Sequence, residues 1–141
     1  MIGMPNKYLL LHGSIVILIG LLSGIPMWYA IIRNKGKEAV RAWRVAHSCL
    51  VMYGLMILIV GIVIPHLILG KLAVWVLVSA LIAAGYGFVF ALTIGAWKGL
   101  RGLTIKPYGL NTILFAGHII GAFCSLIGII IFIYGLFNTF K

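Results

Sequence analysis

Four histidines, six tyrosines and two cysteines are the groups in this 141-residue chain that could do chemistry, because carboxylates are almost absent. Glu38 is the one acidic side chain, and it lies among the basic residues Lys37 and Arg41. A chain so poor in carboxylates cannot run paired-carboxylate acid/base chemistry, an aspartyl nucleophile or a carboxylate proton relay. His47 is the most suggestive imidazole. It follows Arg41 and Arg44 and opens a long apolar run, with Gly54 and Gly61 after it at a spacing of seven. Seven residues return to nearly the same helix face, so the two glycines clear a lane along the face that carries His47. A flat macrocycle needs such clearance, and neutral imidazole is a common ligand of haem iron. An interfacial histidine bonded to a backbone carbonyl accounts for the same residues equally well.

His118 lies deeper, on a stripe with Asn111 and Ser125. A second axial ligand, a substrate contact and a structural hydrogen bond are all open to it. His12 and His66 fall near the ends of apolar runs and read as interfacial. A two-haem plan would need two histidines stacked on one helix. His47 and His66 are nineteen residues apart, which is roughly 28 Å and about 100° of rotation, so they point different ways. Cys49 and Cys124 both sit inside apolar runs, where free thiols act as small packing groups.

The elements that must position these residues are membrane helices. Hydrophobic residues make up 64% of the chain and its mean hydropathy is +1.23, far from a soluble domain. Four apolar runs, about 8–32, 45–69, 72–97 and 110–138, each exceed the ~20 residues that cross a bilayer as a helix. They are too long and too uniformly apolar for strands. The expected fold is an all-α integral membrane protein, a single domain over 1–141 folded as a four-transmembrane-helix up-down bundle with short loops. The formal net charge of +10 then reports topology and contact with the lipid bilayer, with no nucleic acid implied. Arg33, Lys35, Lys37, Arg41 and Arg44 fall between spans 1 and 2, and Lys98, Arg101 and Lys106 between spans 3 and 4, whereas the other side holds only Lys7, Lys71 and Lys141. The positive-inside rule places both long loops in the cytoplasm and both termini outside. Span 1 is too long for a signal peptide and lacks a small-residue cleavage site.

Small residues recur every four positions on span 3 (Ser79, Ala83, Gly87, Ala91, Gly95), with Gly20 and Gly24 on span 1 and Gly117 and Gly121 on span 4. Such patterns let helices approach closely, within the bundle or between copies. Polar residues keep a spacing of seven on span 3 (Ser79, Tyr86, Thr93) and on span 4 (Asn111, His118, Ser125), and are expected to face one another or a shared cavity.

Four stretches resemble styrene oxide isomerases in order and spacing: Leu10–Trp28, "RVAHSCLVMYG" from Arg44, "IVIPHL" from Ile62 and "RGLTIKPYG" from Arg101. The specific pieces are the A-H-S at His47, the H-G in span 1 and the R-G-L-T in the last loop. The resemblance implies a small, trimeric four-helix enzyme of a bacterial inner membrane that holds haem b near a subunit interface. It implies rearrangement of a small apolar aryl epoxide to an aldehyde without net redox change. His47 would be the axial iron ligand, and the iron a Lewis acid toward the epoxide oxygen. A hydride shift then completes the reaction with neither a base nor water, which suits a site without carboxylates. Haem propionates need cationic partners. Arg44 and Arg101 are the candidates, ahead of Arg41 and Lys98, although loop charge alone explains all four.

Departures from the family are also legible. Tyr53 stands where the family has an asparagine six residues after the axial histidine. The family's span-3 tyrosine falls at Val89 or Phe90, with Tyr86 one turn away, and His118 has no family counterpart. Tyr53, Tyr86 and Asn111 are therefore the candidate substrate-orienting groups, with His47, Arg44, Arg101, Gly54 and His118 at the haem. If His118 closes the sixth position, the chain reads instead as a single-haem electron-transfer subunit. A non-catalytic membrane subunit is the remaining alternative.

Overall fold

A computed structural model describes residues 4–141. It is helical and, among the described residues, contains no strand. Among the described residues five α-helices occur: α1 Met4–Leu22, α2 Gly24–Ile32, α3 Lys37–Val63, α4 Lys71–Lys98 and α5 Leu110–Thr139. A 3₁₀ turn, Ile64–His66, closes α3 at Pro65. With α1 and α2 taken together, four rods are long and apolar enough to cross a membrane: Met4–Ile32, Lys37–His66, Lys71–Lys98 and Leu110–Thr139. The four-helix architecture read from the apolar runs is present.

Two boundaries differ from hydropathy. The first rod is broken at Ser23. Pro26 explains the break, because a proline ring clashes with the carbonyl four residues earlier, here that of Leu22, and supplies no N–H to it. Ser23 Oγ donates back to the Ile19 carbonyl at 2.9 Å. The third helix begins at Lys37 rather than Val45, because Lys37, Glu38, Ala39 and Arg41 are good helix formers whatever their polarity.

The rods pair as two antiparallel hairpins. Along α1 and α3, Leu9 meets Gly61, Gly13 meets Gly54, and Gly20 meets Leu50 and Val51. Along α4 and α5, Gly87 meets Gly117 and Gly121, while Leu81 covers Gly128. Within a bilayer apolar burial does little to join helices, so close approach at small residues carries the packing. The hairpins join through α3 and α1 against α4, and α5 barely meets either α1 or α3. A buried cluster of Leu9, Ile57, Val60, Ile64, Leu77, Val78 and Leu81 fills the end away from the basic loops. Both sites described below lie toward the basic end, away from this cluster.

Candidate functional site

His47 sits on the face of α3 that turns toward the α1–α2 break. Its Nδ1 lies 2.8 Å from the Gly20 carbonyl oxygen. A carbonyl only accepts, so this bond places the proton on Nδ1 and leaves the Nε2 lone pair free. Metal-ligating histidines are commonly oriented in this way, with the second nitrogen donating to a carbonyl. Gly24 lies against the ring, and a Cβ there would be 3.4 Å from Nδ1. The interfacial hydrogen bond considered for His47 is thus made by one nitrogen while the other stays available. Among the described residues no group of three or more His, Cys, Asp or Glu could hold a bare metal ion. An iron at His47 would take its remaining ligands from a prosthetic macrocycle, which a single imidazole donor fits.

The glycine lane is used differently from the expectation. Gly54 is a point of close approach between α3 and α1: a Cβ there would lie 2.5 Å from Ile17 Cγ1 and 2.9 Å from the Gly13 carbonyl oxygen. Gly61 is similarly closed by Leu9. Helix α1 fills the lane, so Gly54 serves helix packing and not macrocycle clearance. The arginines also separate. Arg44 is exposed one turn from His47 on nearly the same face, beside a basic hollow lined by Lys35, Lys37 and Arg41. Arg101 instead makes an ion pair with Glu38, on the face of α3 that also carries Ala42 and Val45. Val45 and His47 are two positions apart, about 200° around the helix, so Arg101 is not placed with His47.

The remaining candidates occupy separate places. Tyr53 is rotated about 120° from His47, donates its hydroxyl to the Leu81 carbonyl at 3.3 Å and meets Phe88 edge-on at 5.2 Å. It ties α3 to α4. Tyr86 shares a 2.8 Å hydrogen bond with His12 Nδ1 on the α1–α4 surface, where Tyr8 stacks on His12. Asn111 is buried and holds the loop before α5: Oδ1 accepts from the Gly102 N–H at 3.1 Å, and Nδ2 donates to the Thr104 and Lys106 carbonyls at 2.7 and 3.0 Å. His118 faces Phe88 and Gly102, on the far side of α3 from His47. Within one chain, Tyr53, Tyr86 and Asn111 do not converge on His47, and His118 is not opposed to it as a second axial ligand. Nor do the polar stripes meet: Ser79, Thr93 and Ser125 bond back to Val76, Val89 and Ala122 on their own helices.

Two features escaped the sequence reading. The His12–Tyr86 pair joins residues 74 positions apart, with no local signal for it. A cavity of about 580 Å³ lies between the first turns of α3, the last turns of α4 and the following loop. Ala42, Val45, Ala91, Leu92 and Leu103 form much of its wall, with His118 also lining it. Its roof, the Glu38–Arg101 ion pair, joins residues 63 positions apart and likewise has no local signal.

No curated protein and no solved structure matches the chain. The A-H-S histidine with a free Nε2, the four membrane-length rods and the R-G-L-T loop nevertheless agree with a family match. Over residues 5–137 the chain matches the model described as styrene oxide isomerase, and it belongs to that family.

Proposed function

We propose that the chain is a haem b-dependent membrane isomerase that rearranges a small apolar epoxide to an aldehyde, with His47 as the single protein ligand of the iron. The observation that carries this reading is the Nδ1 bond of His47 to the Gly20 carbonyl, which leaves Nε2 as an oriented, unpartnered donor. Family membership supports an isomerase. Haem iron held by the His47 imidazole would supply Lewis acidity toward an epoxide oxygen. The chain's own contribution is orientation and exclusion. Gly20 and Gly24 fix the imidazole ring. The helices around it bring no carboxylate that could activate water, so opening to a diol is unassisted. The rearrangement itself adds no atom: a C–O bond breaks, a hydride moves to the neighbouring carbon and a carbonyl forms. Arg44, on the face of His47 and one turn toward the basic end, is the cation suited to a propionate. On this reading the chain works in a bacterial inner membrane, with its long loops cytoplasmic and its termini outside, as a homotrimer like its relatives.

Haem titration of the purified chain in detergent tests the assignment. Wild type should give a Soret band and a high-spin ferric EPR signal, and should convert styrene oxide to phenylacetaldehyde. His47→Ala should lose the band and the conversion. His118→Ala should keep the high-spin signal, because His118 lies on the other side of α3. Equal aldehyde formation by His47→Ala would refute the site. A low-spin wild-type signal that reverts in His118→Ala would refute the open position and establish the electron-carrier alternative.

A further inference from the structure

We propose that the cavity beneath the Glu38–Arg101 pair is a second ligand site, separate from His47, that takes a small aryl or alkyl carboxylate. The cavity measures about 580 Å³, within the ~300–1,000 Å³ typical of small-molecule sites. Ala42, Val45, Ala91 and Leu92 give it an apolar lining, with the more exposed Trp97 and Leu103 beside them. The mouth is charged and lopsided: Arg41, Lys98 and Arg101 line it against one carboxylate, Glu38. An apolar body with an anionic head matches that arrangement, and a guanidinium fork is the group that holds a carboxylate through paired donors.

Glu38 sharpens the assignment. Its carboxylate lies on Arg101 and stands in, within the chain, for the head of such a ligand. Both side chains are largely exposed, 63% and 73%, so the pair is easily opened. An entering carboxylate exchanges one partner of Arg101 for another and needs no new charge to be buried. His118 adds a polar point to the otherwise apolar wall. Anionic membrane lipid offers the same chemistry, a negative head on an apolar tail, and the test must separate the two sources.

The full chain in phosphatidylcholine nanodiscs would be titrated calorimetrically with hydrocinnamate and with the neutral hydrocinnamyl alcohol. Saturable binding of the carboxylate and much weaker binding of the alcohol are expected. Arg101→Gln should weaken hydrocinnamate about tenfold, whereas Glu38→Gln should tighten it severalfold by removing the internal competitor. That opposition of sign distinguishes a site from a merely structural ion pair, whose loss from either partner would act alike. Ala42→Phe should fill the cavity and abolish binding, with Val45→Phe as a second filling variant. The proposal is overturned by no saturable binding, by equal binding of the alcohol, or by the same direction of change in both charge variants. Loss of wild-type binding on exchanging phosphatidylcholine for phosphatidylglycerol also overturns it, because the occupant is then lipid. Haem loading at His47 is read separately by the Soret band, so failure here leaves the proposed isomerase intact.

Discussion

A carboxamide with both N–H donors engaged and its oxygen already accepting one bond has little left to offer a substrate. Asn111 is in that position, with Oδ1 on Gly102 and Nδ2 on Thr104 and Lys106. Asn111→Ala would leave those loop groups unpaired, at about 1–3 kcal/mol for a buried group. It should lower the melting temperature in detergent and speed amide exchange at Gly102 while leaving the Soret band unchanged. A large fall in turnover with an unaltered melt would restore Asn111 to the substrate. Tyr53 permits a cleaner test. Its hydroxyl reaches the Leu81 carbonyl only at 3.3 Å, a long bond for this pair. Tyr53→Phe should therefore change stability by less than about 1 kcal/mol and turnover by less than about twofold. A tenfold loss of kcat at constant KM would place the phenol at the reacting atoms. Residue type and spacing singled out His47, and the structure sets its Nδ1 on the Gly20 carbonyl. They could not show the work of Tyr53, Tyr86 or Asn111, because each partner lies on another element or across a loop, and nothing local encodes those approaches.

At the scale of elements, the small-residue patterns were read correctly as contacts, but their extent was not. Gly87, Ala91 and Gly95 on α4 are wholly or partly buried, while Ser79 and Ala83 on the same stripe are exposed. A spacing of four turns 400° and drifts about 40° per step, so a stripe of five cannot stay on one face of a straight helix. Gly54 and Gly87 are points of close approach, one in each hairpin, and should have separable effects. A Cβ at Gly54 meets Ile17 and the Gly13 carbonyl, whereas one at Gly87 meets the Gly117 carbonyl at 2.9 Å. Gly54→Val should push α1 off α3 and carry the Gly20 carbonyl away from His47. Loss of such an orienting partner weakens a metal site by ~10–100-fold, and haem titration should show a fall of that size. Gly87→Val should disturb α5, which packs mainly on α4, and leave haem affinity nearly unchanged. Equal losses in the two variants would mean that the proposed haem site extends to the α4–α5 hairpin.

For the whole molecule, orientation is decided by charges at the rod ends and not by the apolar middle, which is alike in all four rods. Arg33, Lys35, Lys37, Arg41 and Arg44 gather at one end with Lys98, Arg101 and Lys106, while the opposite end keeps Lys7, Lys71 and Lys141. Short loops of this kind obey the positive-inside bias, and the expected arrangement puts the basic end, with both His47 and the Arg101 cavity, on the cytoplasmic side. Two glycines make the test mild. At Gly36 and at Gly70 an added Cβ would meet nothing within 4 Å, so a cysteine at either position should be tolerated. The two native cysteines are unpaired and lie within apolar helices, and both can be changed to alanine in the background. In intact bacterial cells, a membrane-impermeant maleimide should label Gly70→Cys at once. Gly36→Cys should react only after the cells are opened. The reverse pattern would invert the topology, and His47, expected near the cytoplasmic face, would then lie near the outer one. Labelling of both in intact cells would show mixed insertion, which so strong a bias in basic residues should prevent.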